Sequence, residues 1–150
     1  MQNTMKKSKF MKDSNGQLTN LANIYAMTRF EKGLMGFDKN GYSCCWIEAN
    51  HTSYESIKDF LDKRLAGKFF FNLPNGGRAH IDIFEDVFIN PNSGNLIIKS
   101  IAPKTSLFIA TETSYSDIDG LLSEVQDSII SISDGGDKQV DWAAYSISNT

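Results

Sequence analysis

Arg78, His80 and Asp82 stand at alternate positions in the stretch RAHIDIFED, and a histidine with a nearby carboxylate can do acid–base chemistry. On an extended strand alternate side chains share a face, so Asp82 would lie beside His80 and could orient its imidazole. Such a site also needs a nucleophile or metal and a group to stabilise an anion. No Gly-x-Ser-x-Gly elbow, phosphate loop, Gly-x-Gly-x-x-Gly run or His-Glu-x-x-His pair supplies one. Read as a strand, the opposite positions Ala79, Ile81, Ile83, Val87 and Ile89 form a core face interrupted only by Glu85. Arg78, His80, Asp82 and Phe84 are then a candidate binding surface, and no residue is expected to be catalytic.

Metal chemistry finds little material. Cys44 and Cys45 are adjacent, and His51 and His80 are the only histidines, so no familiar four-ligand zinc spacing can be assembled. Neighbours on a strand point to opposite faces, which predicts two reduced thiols. Asp134, Asp137 and Asp141 lie near glycines but miss the alternate acidic positions and closing glutamate of a calcium loop. No metal and no cofactor is expected.

Charge is unevenly spread along the chain, whose net charge is −3. Residues 1–12 carry +4, residues 13–111 are balanced, and residues 112–150 carry −7. An acidic C-terminal third repels phosphate backbones and attracts basic surfaces. The expected partner is therefore a basic protein and not nucleic acid, with Asp117, Asp119, Glu124, Asp127, Asp134 and Asp137 as the partner-binding residues.

The elements that must position these residues follow from pattern. Residues 1–16, rich in lysine and ending in DSNG, read as a mobile basic arm. Leu18, Leu21, Ala22 and Tyr25 keep helical spacing and predict a short helix over 17–27. Asn40-Gly41 predicts a tight hairpin in which both residues can take positive φ. A capping box of Thr52 and Glu55 starts a helix that buries Tyr54, Ile57, Leu61 and Leu65 and stops at Gly67. Four strands follow, KFFFNL, RAHIDIFEDVFI, LIIKSIA and SLFIATE, as one meander. A last helix, capped by Ser114 or Ser116, carries the stripe Ile118, Leu121, Leu122, Val125, Ile129 and Ile132 and ends at Gly135-Gly136. Residues 137–150 read as an acidic tail or a late strand.

The order α-β-β-α-β-β-β-β-α predicts an α+β fold in which an antiparallel sheet of about five to six strands packs with two to three helices, all within one domain over 17–136. No apolar run reaches membrane-spanning length, and the basic opening MQNTMKKSKFMKD is not followed by the apolar stretch of an export signal. A cytoplasmic monomer or weak homodimer is expected. The absence of catalytic motifs and the acidic end together predict a non-catalytic module that neutralises or sequesters a basic protein, as cytosolic immunity or inhibitor proteins do against toxins. The alternatives are a small hydrolase using His80 with Asp82, and an acidic chaperone whose apolar patch is Phe69, Phe70 and Phe71.

Overall fold

The computed structural model describes residues 8–147. Its strands and helices are β1 Phe10–Lys12, β2 Leu18–Asn20, β3 Ala26–Phe30, β4 Gly33–Phe37, β5 Ser43–Glu48, α1 Tyr54–Arg64, β6 Phe70–Asn72, β7 Arg78–His80, β8 Phe84–Ile89, β9 Leu96–Ser100, β10 Ser106–Ala110, α2 Ile118–Ser133 and α3 Trp142–Tyr145. The fold is α+β. A five-stranded antiparallel sheet runs β5-β4-β3-β7-β6, a three-stranded sheet runs β10-β9-β8, and β1 pairs with β2. No helix among the described residues is long and apolar enough to cross a membrane.

The five-stranded sheet is buried on both faces because its strands alternate apolar side chains between two cores. Met27, Leu34, Cys45 and Ile47 meet Tyr54, Ile57 and Leu61 of α1 and its C-cap Leu65. On the other side Ala26, Phe37, Phe71 and Ala79 meet Ile83, Ile98 and Leu107 of the second sheet region and Leu121, Val125 and Ile132 of α2. Gly41, at φ +82°, lets the β4–β5 loop lie against β9, where Ser100 Oγ donates to the Gly41 carbonyl at 2.6 Å. Any side chain at Gly41 would collide with that hydroxyl and with Ile101.

Several expectations are corrected. The helix over 17–27 is absent: Leu18–Asn20 is a strand, Leu21–Asn23 is one 3-10 turn, and Ala26 begins β3. The helical spacing was that of the turn, which the Asn20 side chain holds by accepting from the Ala22 amide at 3.1 Å. The basic arm to residue 16 is not free throughout. Phe10–Lys12 pairs with β2, and Asp13 is buried, accepting from the amides of Asn15, Gln17 and Trp46. Residues 1–7 of the arm lie outside the described residues.

In the hairpin only Gly41 takes positive φ, because the Asp38 carboxylate caps the loop by accepting from the amides of Asn40 and Tyr42. The helix α1 starts after Ser53 without a side-chain cap. In place of the capping box, His51 Nδ1 accepts from the Ser53 amide at 3.0 Å. The cap of α2 is Asp117, left-handed at φ 47°, and not Ser114 or Ser116.

The expected four-strand meander divides at Ile81–Ile83. This 3-10 turn carries the chain out of the first sheet, where the Ile81 amide donates to Phe69, and into the second, where the Ile83 carbonyl accepts from Ile101. The long strand over 79–89 is thus two strands in two sheets. The C-terminal segment is neither a tail nor a strand over 137–147, since it contains α3 and its Trp142 is buried. Trp142 Nε1 donates to the Asn72 carbonyl at 2.7 Å, and its ring packs edge-on to Phe71, Phe108 and Tyr115. Residues 148–150 lie outside the described residues.

Candidate functional site

The turn at Ile81–Ile83 decides the fate of the His80–Asp82 pair. Asp82 is no longer two strand positions along from His80, and its own amide donates to His80 Nδ1 at 3.1 Å. An Nδ1 that accepts an amide hydrogen carries none of its own, which leaves the neutral imidazole protonated at Nε2. The Asp82 carboxylate, 3.7 Å from the same Nδ1 and 82% exposed, therefore has no proton to receive from it. The hydrogen bond is the shorter and better-defined contact, so His80 is the cap of a turn. Its ring lies edge-on to Phe70 at 5.0 Å and near Tyr25 and Phe69. Arg78 turns toward α1, with Nη1 3.5 Å from the Asp62 carbonyl.

Phe84 and Asp82 go elsewhere. They line an open cleft of about 550 Å³ between β8 and α2. Its floor is apolar, made by Ile81, Phe84 and Val87 on one side and by Ile129 and Ile130 on the other. Asp82, Glu85 and Asp86 form the strand-side rim. The local sequence explains the shape. The α2 stripe turns Leu121, Val125 and Ile132 into the core, but Ile130 lies off that stripe and is 59% exposed.

Asp127 and Asp134 precede and follow Ile130 by three and four positions, one helical turn either way, so both stand next to it on the helix surface. Both are exposed. Lys99 is the cation at the strand-side rim, 3.1 Å from Glu85. The cleft thus has an apolar floor and an acidic strand-side rim, with two further carboxylates beside Ile130 on the outer surface of α2.

The free edge of β8 is occupied at Val87, the residue at the middle of this cleft. The Val87 carbonyl accepts from Gln126 Nε2 at 3.2 Å, and the Val87 amide donates to the Asp86 carboxylate at 2.8 Å. Strand edges that offer unpaired backbone groups invite another strand, and here the central residue offers none.

The six acidic residues expected to bind a partner separate into two groups. Asp117 is occupied as the α2 cap, accepting from the Gly120 amide at 3.1 Å. Glu124 is structural: its carboxylate accepts from the Asp141 amide at 2.9 Å and from the Tyr145 hydroxyl at 2.8 Å. Those bonds hold the Glu124 carboxyl below the usual carboxylate range and raise the Tyr145 phenol. Asp119, Asp127, Asp134 and Asp137 are exposed, and none of them takes part in an ion pair among the described residues.

Of the two surfaces read separately from the sequence, Asp82 and Phe84 line the cleft, while Asp127 and Asp134 stand beside its Ile130 on the helix surface without lining it. Sequence reasoning missed Asp86, Gln126 and Ile130. Ile130 carried the available signal, an isoleucine outside the helical stripe.

The phenylalanine patch does not form, because Phe71 is fully buried, Phe70 is half-buried and only Phe69 is exposed. The two cysteines also depart from expectation. A bulge in the β4–β5 pairing at Cys44 brings both thiols toward the α1 core. Both are free. The hydrogen bond between the two thiols, helped by burial, pushes the Cys44 thiol up; the same bond lowers Cys45 against the opposing effect of burial. No group of three or more His, Cys, Asp or Glu able to hold a metal occurs among the described residues.

No protein-family model, no curated protein and no solved structure matches the chain.

Proposed function

We propose that the protein is a non-catalytic binding module of the cytosol that neutralises or sequesters a basic protein partner, in the manner of an immunity or inhibitor protein acting on a toxin. The observation that carries this reading is the placement of Asp119, Asp127, Asp134 and Asp137. They are exposed on and just beyond α2 with no basic side chain paired to them among the described residues. Exposed charges of one sign, left uncompensated on their own molecule, raise the encounter rate with a surface of the opposite sign. The rate gain falls with ionic strength because mobile ions screen charges more than about 10 Å apart at 0.1 M salt.

The test begins with the partner recovered from the native host on immobilised protein. Its association rate is then measured by stopped flow at low and at physiological salt. Replacing the four aspartates together by asparagine is expected to slow association by about tenfold or more at low salt and to flatten the salt dependence. Dissociation should change little. An association rate indifferent to both salt and the four substitutions refutes the reading.

A further inference from the structure

We infer that the cleft between β8 and α2 is the docking groove for a cationic amphipathic helix of a partner protein. This rests on the reading of the protein as a module for a basic partner and names the surface and the form of ligand.

Charge complementarity fixes the sign of the occupant. Asp82, Glu85 and Asp86 border the cleft on the strand side, while Asp127 and Asp134 lie exposed beside Ile130 on the outer surface of α2, beyond the lining residues Gln126, Ile129, Ile130 and Ser133. Against these five carboxylates stand Lys99, already committed to Glu85, and Lys138, whose backbone is held against α2 by Ser128 and Ser131. An anionic or neutral polar ligand would meet uncompensated negative charge along the strand-side rim. A ligand carrying lysines or arginines beside an apolar stripe would meet the strand-side carboxylates at the rim and isoleucine, valine and phenylalanine on the floor, with Asp127 and Asp134 in reach on the outer surface of α2.

The state of the β8 edge fixes the form of the occupant. An added strand binds through backbone hydrogen bonds to the edge. The Val87 amide and carbonyl point into the cleft, but Asp86 and Gln126 already take them. A strand docking there would have to displace two side chains and leave them without their bonds. A helix satisfies its own backbone and offers only side chains, so it can dock without displacing Asp86 or Gln126 from Val87. The α2 residues that line the cleft run from Gln126 to Ser133, a wall about 12 Å long, enough for two turns of a docked helix with apolar anchors at i, i+3/i+4 and i+7.

The experiment uses synthetic probes and the intact protein labelled with nitrogen-15. The main probe is a leucine–lysine peptide of about 18 residues patterned as an amphipathic helix. Its controls are the matching leucine–glutamate helix and a leucine–lysine peptide of the same composition with strict alternation, which favours a strand. Binding of the first peptide should shift the amide signals of residues 82–87 and 126–134. Replacing Asp86, Asp127 and Asp134 by asparagine should weaken it by about tenfold at low salt. Ile130→Ser should weaken it severalfold at any salt.

Tighter binding of the alternating peptide overturns the helix assignment, and equal binding of the leucine–glutamate helix overturns the charge assignment. Shifts that fall outside the cleft, or a triple variant that binds unchanged, overturn the groove while leaving a basic partner to dock elsewhere. The same holds if the leucine–lysine helix fails to bind up to millimolar concentration. The basic-partner reading is then decided separately by the salt dependence of association with the native partner.

Discussion

Ile130 and Ile132 make a controlled comparison within one helix. Both are isoleucines near the C-terminal end of α2, yet Ile130 is 59% exposed on the cleft and Ile132 is 1% exposed in the core. Truncating a buried isoleucine to alanine removes its transfer free energy and leaves a cavity, a loss of about 2–5 kcal/mol. Taking about 3 kcal/mol for Ile132→Ala, the folding equilibrium falls by roughly 150-fold. With a urea slope of about 2 kcal/mol per molar, the midpoint drops by about 1.5 M.

Ile130→Ala loses little buried area, and alanine is a better helix former by a few tenths of a kcal/mol. Its midpoint should stay within the range of ordinary surface changes, about 0.5 kcal/mol either way. The assay is equilibrium urea unfolding followed by far-ultraviolet circular dichroism at two protein concentrations tenfold apart. A large loss for Ile130→Ala that is equal at both concentrations would refute the placement of this residue on an open cleft. A loss that grows with concentration would show that a second copy covers it.

Three other outcomes follow from single contacts. The Glu124 carboxyl has its folded pKa below the unfolded one, so its bonds to Asp141 and Tyr145 contribute fully above the ordinary carboxylate range and fade as pH falls through the folded value. Tyr145 is raised, so the same bond contributes fully below about pH 10 and fades as pH rises through its folded value; Glu124→Gln should flatten the melting temperature at the acid end of a pH series. Asp82→Asn should leave stability within about 0.5 kcal/mol, because only its amide is used by His80, whereas His80→Ala should cost about 1–2 kcal/mol in urea unfolding. Asp13→Ala should cost about 3 kcal/mol by the same assay, since three backbone amides lose a buried carboxylate acceptor.

Periodicity and turn chemistry determined the elements whose signals are local. The α1 residues Tyr54, Ile57 and Leu61 and the C-cap Leu65 are all buried as their spacing requires, and the α2 stripe faces the core where its 3.6-residue period puts it. The α+β class followed from these helices and the apolar runs between them. Of the features the pattern missed, one is a local turn and two depended on partners distant in the chain. His80 became a cap when the Asp82 amide turned back onto it, and a strand pattern cannot register a 3-10 turn whose apolar residues keep alternating. Glu124 became structural because Asp141 and Tyr145, 17 and 21 residues later, fold onto it. The cleft exists because α2 lies along the edge of β8, a juxtaposition of segments about 40 residues apart that Gln126 seals through the Val87 carbonyl. Side-chain type and spacing encode which face of an element is apolar. Which second element covers that face, and what stays open beside it, is decided by packing between segments that the linear pattern does not relate.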